Sequence, residues 1–342
     1  MPFPLTDMFP EEIAQSLDIK PFQGKQVFRW LYQKQAVEFS AMTDLSKGLR
    51  ARLAADAKPR QLEPVEERVS PRTGTTKRLF RLHDGDTVEA VLIPDQERIT
   101  ICVSSQAGCA LQCAFCATGL AGFRRNLSSG EIAEQILHLL AGIDLHGRTP
   151  NIVYMGMGEP LRNYDHVTRS IRLLMRAEGL NIGARKITVS TAGEVKGIRR
   201  FAAEDWQVRL SVSLHAANDR LRDRLVPLNR RYPLEPLHKA LEEYIQRTGR
   251  QITLEWVLLD GVNDTLDHAR ELLEFARGLK ASVNLIPWNP VEGIGFQTAP
   301  PAHCQAFRAF LTENGLKATL RQEKGGDIGA ACGQLRRLHA DA

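Results

Sequence analysis

Cys109-Ala110-Leu111-Gln112-Cys113-Ala114-Phe115-Cys116 sets three cysteines on one short loop, with three and then two residues between them. A fourth, Cys102, lies one strand end upstream. Three thiolates on such a loop can hold three irons of a 4Fe–4S cluster and leave the fourth iron open, whereas electron-transfer clusters are closed by four cysteines. An open iron chelates the amino and carboxylate groups of S-adenosylmethionine. One electron from the cluster then splits the sulfonium and releases a 5′-deoxyadenosyl radical. A zinc site competes for the same residues, but it wants a fourth Cys or His at a paired spacing. No second C-x-x-C follows, and the next cysteine is the distant Cys304. A disulfide framework belongs to small secreted domains, and this chain has 342 residues with six cysteines.

The elements around the loop must position it. Ahead of it, apolar residues recur at helical spacing over 11–17, 24–35 and 45–55. In the second of these, Val27, Phe28, Trp30, Leu31 and Tyr32 share a face opposite Lys25, Arg29 and Lys34. A mixture of Pro, Arg and Glu over 58–68 reads as a linker. It sets a small helical domain at 1–75 ahead of a core at 76–342. Short β-rich runs over 77–82, 87–93 and 99–104 lead into the cysteines. After them, Ser128-Ser129-Gly130-Glu131 has capping-box spacing and opens a helix to 143. Strands are then predicted over 151–157, 186–191, 208–215, 252–259, 282–287 and 317–321. Helices over 164–178, 195–203, 234–248, 266–279 and 302–315 separate them. This alternation implies parallel pairing through right-handed crossovers. With 99–104 as the first strand, six units precede the last helix and strand. They suit an α/β fold of the partial (β/α)6 barrel type, and an open doubly wound sheet is the alternative.

Ligands of such barrels gather at the C-terminal strand ends. Cys102, Gly158-Glu159, Ser190, Ser213-Leu214-His215 and Trp288-Asn289-Pro290 all fall at or just past predicted strand ends. Each alone suits a turn or a cap. Their recurrence strand after strand points to one shared site.

Hydrophobic residues make up 43% of the chain, so it is globular. No run approaches the roughly 18 apolar residues that a membrane span needs. The N-terminus carries early acids and no apolar core of a signal peptide. Together with free thiols and an oxygen-sensitive cluster, this predicts a cytoplasmic protein without membrane contact. A net charge of +5 permits nucleic-acid binding without demonstrating it. The basic clusters Arg124-Arg125, Arg220-Leu221-Arg222-Asp223-Arg224, Arg230-Arg231 and Arg336-Arg337 read first as solvated helix faces.

Several segments together resemble the radical-SAM RNA adenine methyltransferases of the RlmN and Cfr type. They are Val103 to Cys116, Met155-Gly156-Met157-Gly158-Glu159-Pro160, Ser211-Val212-Ser213-Leu214-His215, Leu285-Ile286-Pro287-Trp288-Asn289-Pro290 and Ala330-Ala331-Cys332-Gly333-Gln334-Leu335. The likeness spans nearly the whole chain, and Leu285 to Pro290 is closer to the RlmN branch. The resemblance implies a partial barrel behind an RNA-binding N-terminal domain. It also implies methylation of carbon 2 of adenine in 23S rRNA at the peptidyl-transferase centre, and of tRNA beside the anticodon. Cys109, Cys113 and Cys116 would hold the 4Fe–4S cluster. Gly158, Glu159, Ser190, Ser213, Leu214, His215 and Asn289 would contact S-adenosylmethionine, two molecules of which are used per turnover. Cys332 would take the first methyl group as a thiolate and become S-methylcysteine. The radical from the second molecule would abstract hydrogen from that methyl group, and the carbon would add to adenine. Cys102 would then attack the Cys332 sulfur and release methyladenine with formation of a disulfide. Glu89, within 87–93, aligns with the family's proton acceptor, although an outward residue of an alternating strand reads equally well. A flavodoxin-type electron donor and a monomer complete the expectation.

One departure stands out. Gly326 and Gly329 flank Asp327-Ile328 where the family usually carries acids, so the loop bearing Cys332 is expected to be looser. Three alternatives compete with the leading one. They are a carbon-8 methyltransferase, a different radical-SAM reaction that leaves Cys332 and Cys102 without a role, and a zinc-stabilised RNA-binding protein without catalysis.

Overall fold

The computed structural model describes residues 3–336, apart from 97 and 146. Three helices come first: α1 (Pro10–Ser16), α2 (Pro21–Tyr32) and α3 (Lys47–Asp56). Three antiparallel strands follow, β1 (Glu63–Val69), β2 (Thr76–Arg81) and β3 (Thr87–Asp95), and then β4 (Arg98–Cys102). From there strands and helices alternate: α4 (Ser129–Leu140), β5 (Asn151–Tyr154), α5 (Tyr164–Met175), β6 (Ile187–Thr191), α6 (Val195–Ala202) and β7 (Arg209–Ser213). The series ends with α7 (Asp219–Leu225), α8 (Leu234–Thr248), β8 (Ile252–Leu258), α9 (Leu266–Ala276), β9 (Ala281–Pro287), α10 (Pro301–Glu313) and β10 (Ala318–Leu320). β5 to β10 each pair parallel with the strand before them, so the ten strands lie in strict chain order from β1 to β10.

That order decides between the two expected architectures. A doubly wound sheet reverses direction at a switch point. Here every crossover steps the same way, so crossovers of one hand stack their helices on one face. The outcome is the partial barrel. Its central strands are buried on both faces, which is why β8 reads Ile-Thr-Leu-Glu-Trp-Val-Leu, apolar almost throughout. The capping box at α4 forms as its spacing predicts. The Ser128 hydroxyl accepts from Glu131 N–H at 3.2 Å, and the Glu131 carboxylate accepts from Ser128 N–H at 2.9 Å.

The expected linker over 58–68 is largely strand. β1 carries Glu63, Glu66, Glu67 and Arg68 and is exposed along most of its length, so it shows no alternation to read. Cross-strand pairs Glu63–Arg81 and Glu67–Arg78 hold it to β2. The N-terminal helices are tied to the barrel by Glu134 of α4, which is fully buried. Its carboxylate accepts from the Thr6 hydroxyl and from the backbone N–H groups of Gln61 (2.7 Å) and Leu62 (2.8 Å).

The C-terminal segment crosses back over the opposite end of the sheet. Gly325 and Gly329 stand at φ 76° and 64°, left-handed positions that suit glycine, and bracket a short turn over Gly326–Ile328. This segment is fastened rather than loosened. Ser70 donates to Asp327 (2.9 Å), the Lys77 ammonium to Gly329 O (3.1 Å), Ala117 N–H to Gly333 O (2.8 Å) and the Thr118 hydroxyl to Leu335 O (2.6 Å).

Candidate active site

The cysteine loop hangs between three fixed points. Cys109 N–H donates to Gly122 O and Ala114 N–H to Leu225 O, each at 3.0 Å, while the Trp288 indole donates to Phe115 O at 3.0 Å. Burial pushes the Cys109 thiol up to about 12 and raises Cys113 as well, where the neighbouring sulfurs add to the effect. Opposite them stands Arg222 of α7, fully buried. Its guanidinium donates to Leu214 O (3.1 Å), Ala192 O (2.7 Å) and Asn229 Oδ1 (2.9 Å). Its charge lowers the cost of a thiolate at Cys113.

The spread of the donor atoms separates a zinc site from an iron–sulfur cluster. Among the described residues, the only group of Cys, His, Asp or Glu with ligand atoms all within 4.8 Å of one another is Asp260, Asp264 and His303. At least one pair of the three sulfurs is therefore farther apart than the edge of about 3.8 Å that a tetrahedral zinc–thiolate site has. Three spread thiols on one loop, facing an open cleft, fit a cuboidal cluster with one open corner.

That cleft is lined by the three cysteines together with Gly158, Glu159, Ser190, Ser213, His215, Asn289 and Cys332. Gly158 stands at φ 100°, and a Cβ there would lie 2.6 Å from that of Gln106, so only glycine lets the turn approach so closely. The Gln106 carboxamide in turn accepts from Glu159 N–H at 2.8 Å. The Glu159 carboxylate accepts from Leu161 N–H (3.0 Å) and Ala192 N–H (2.8 Å), and burial lifts its pKa to about 7. The Ser190 and Ser213 hydroxyls lie 3.5 Å apart at adjacent strand ends. His215 Nδ1 accepts from Val257 N–H at 3.0 Å, leaving the ring proton on Nε2, and burial pulls its pKa down to about 3. Leu214 does not line the cleft. Its backbone carbonyl serves Arg222 and its N–H donates to Glu255 O at 3.0 Å.

A second cavity adjoins the first and shares Cys116, Asn289, Cys332 and Gly333 with it. Cys102 and Arg321 line only this second one, and Cys332 lies on the wall common to both. Glu89 lies outside both. It is buried in a neighbouring cavity, paired with the Lys77 ammonium at 2.8 Å and accepting from Arg336 N–H at 2.9 Å.

Residues 103–276 match the radical SAM superfamily model, and residues 5–58 match the model of the ribosomal RNA large subunit methyltransferase N-terminal domain. A "Probable dual-specificity RNA methyltransferase RlmN" of Heliobacterium modesticaldum is 46% identical, over 98% of this chain and 90% of that protein. The equivalent protein of Moorella thermoacetica is also 46% identical, over 95% of this chain and 94% of its own. The chain belongs to the RlmN family of radical SAM methyltransferases. A crystal structure of a radical SAM methyltransferase from Sphaerobacter thermophilus superposes on this RlmN-family chain with a TM-score of 0.94 and 46% identity, covering 98% of it and 99% of that chain. The superfamily carries a 4Fe–4S cluster and uses S-adenosylmethionine.

Three residues of this RlmN-family site escape sequence reasoning. Arg222 lies in a basic run that reads as a solvated face, yet it is the one fully buried arginine of that run. Glu255, an acid inside the apolar β8, lines the cleft and is hydrogen-bonded to Asn284 (2.7 Å); an acid in a strand buried on both faces was the available signal. Arg321, just past β10, sits at a strand end like the predicted residues. Arg125 is engaged by Glu131 and Asp84, and Arg337 lies outside the described residues. Among the described residues no helix is long and apolar enough to cross a membrane.

Proposed function

We propose that this chain methylates carbon 2 of adenine in 23S rRNA at the peptidyl-transferase centre, and in tRNA beside the anticodon, with two molecules of S-adenosylmethionine per turnover. The activity after which the relatives are named, dual-specificity RNA methylation, supports the substrate class. The observation that carries the chemistry is the place of Cys332, on the wall shared by the cleft of the three cysteines and the cavity of Cys102.

Carbon 2 of adenine is electron-poor and not nucleophilic, so a radical route is required. When bound on Cys109, Cys113 and Cys116, the cluster supplies the electron that cleaves a sulfonium to a 5′-deoxyadenosyl radical. The chain's own groups do the remaining work. Gly158 and the fixed Glu159 carboxylate receive the methionyl ammonium. Ser190, Ser213 and Asn289 hydrogen-bond its carboxylate and ribose, and His215 offers Nε2–H toward the adenine. Leu214 supports this contact through its backbone. The Cys332 thiolate attacks the methyl carbon of the first S-adenosylmethionine: a sulfur–carbon bond forms as the sulfonium bond breaks and S-adenosylhomocysteine leaves. Once that carbon is attached to adenine, the adduct must give its ring proton to a base and one electron to an oxidant, which the oxidised cluster held by Cys109, Cys113 and Cys116 would supply, before the Cys102 thiolate attacks the Cys332 sulfur. The disulfide forms, and the electron pair of the broken bond passes to the product carbon, which takes up a proton. Glu89 is the proposed acceptor of the ring proton, which requires Arg336 N–H to release its carboxylate.

Residues 1–75, apart from the strand β1 that joins the sheet, would grip RNA, and 76–342 would carry the chemistry in a cytoplasmic monomer reduced by a flavodoxin-type donor. The target base must be flipped out of folded RNA to reach the site. Expression of Cys102→Ala with RNA present tests the scheme. Purified without oxygen, the variant should carry covalently bound RNA that the unaltered chain lacks. Methylated RNA without a crosslink would overturn the two-cysteine route.

A further inference from the structure

The cavity that Cys102 and Cys332 share is walled by Ile93 and Val153, by the turn at Met155-Gly156, and by Arg321 just past β10. Both sulfurs serve as thiolates in the scheme above, and the cavity is an unfriendly place for one. Burial, with Cys332 adding to it, pushes the Cys102 thiol up to about 12. At pH 7 that leaves roughly one thiolate in 100,000. The charged groups facing the cavity are few. Lys324 is committed to Asp95 (2.7 Å) and Pro94 O (3.0 Å). Glu323 is committed to Arg72 (3.3 Å) and to Gly326 N–H. Cys116 belongs to the cluster loop. Glu255 reaches Arg321 from β8 while accepting from Asn284. Arg321 remains. Cys332 acts most strongly to keep it charged, against the opposing pull of burial, with Glu255 and Cys102 adding to Cys332.

We propose that Arg321 is the counter-cation shared by Cys332 and Cys102, stabilising each sulfur in turn as it becomes the nucleophile. Methylation turns Cys332 into a neutral thioether and so removes its claim on the guanidinium. The full charge is then turned toward Cys102 in time for the release step. Arg321 is thus a positioning residue whose charge acts through the two thiols, and the proposal rests on the two-cysteine reading.

The test follows iodoacetamide alkylation of Cys332 in the oxygen-protected holoprotein, read by mass spectrometry of its peptide from pH 6 to 10. In Arg321→Gln the rate at pH 7 should fall about tenfold and its midpoint rise by about one unit, while Arg321→Lys should stay within about twofold of the unaltered chain. A Gln variant whose profile overlays the unaltered one, or a Lys variant that falls as far as the Gln variant, overturns the proposal. Should R321Q lose the absorbance of its cluster, R321K decides alone: a midpoint within about half a unit supports the role, and a full-unit rise overturns it. The outcome is separable from that of the parent reading. Intact RNA methylation by Cys332→Ala would sink both, whereas an unchanged alkylation profile beside an inactive Cys332→Ala sinks only the role of Arg321.

Discussion

Glu159 is held by two backbone N–H donors, yet burial lifts its carboxyl to about 7, so in the free protein it is half protonated near neutral pH. A methionyl ammonium needs the ionised form, and each unit below 7 costs about 1.4 kcal/mol to ionise it. Affinity for S-adenosylmethionine therefore falls as pH drops through 7, by about tenfold from pH 8 to pH 6, and levels off above 8. Calorimetric titration of the holoprotein should show proton release on binding below pH 7, and Glu159→Gln should flatten the dependence. An unaltered pH profile in that variant would mean that another group meets the ammonium. His215, pulled down to about 3, is neutral throughout this range and adds no inflection of its own.

At the scale of elements, the seven-residue helix α7 does more than its length suggests. Through Arg222 it fastens the chain just past β6 and β7, at Ala192 O and Leu214 O, and its last residue, Leu225, accepts from Ala114 of the cysteine loop. Arg222→Met keeps much of the side-chain volume and removes the donors, stranding buried carbonyls. Stability should fall by about 3–5 kcal/mol in urea unfolding, with less iron bound per chain. A loss below about 1 kcal/mol would make Arg222 a bystander. The long parallel strands were legible because burial on both faces demands continuous apolar residues, and the site residues at their ends were legible for the same reason. α7 was not, since five of its seven residues are charged and Arg222 differs from Arg220 and Arg224 only in its tertiary surroundings. β1 stayed hidden because an exposed edge strand needs no alternation. Arg321 and Glu255 show their role only once neighbouring strands bring them beside Cys332.

At the scale of the whole molecule, the N-terminal helices and the barrel meet at Glu134. Three donors from two separate segments, Thr6 and Gln61-Leu62, converge on this one buried carboxylate. Glu134→Ala leaves them without a partner and should lower stability by about 2–4 kcal/mol. Hydrogen exchange in α1 to α3 should rise well before exchange in β5 to β9, whereas uniform loosening would contradict a local tie. The strand order has a consequence for how the chain is made. Each strand from β1 to β10 pairs with the one synthesised just before it, so a nascent polypeptide can lay down its sheet in the order in which it leaves the ribosome. The tail reaches back far along the chain, from Asp327 and Leu335 to Ser70 and Thr118. Cys332, the proposed methyl carrier, is accordingly installed after every barrel strand, and on that proposal a translation product that stops short of it has its barrel strands and cysteine loop but no acceptor for the first methyl group.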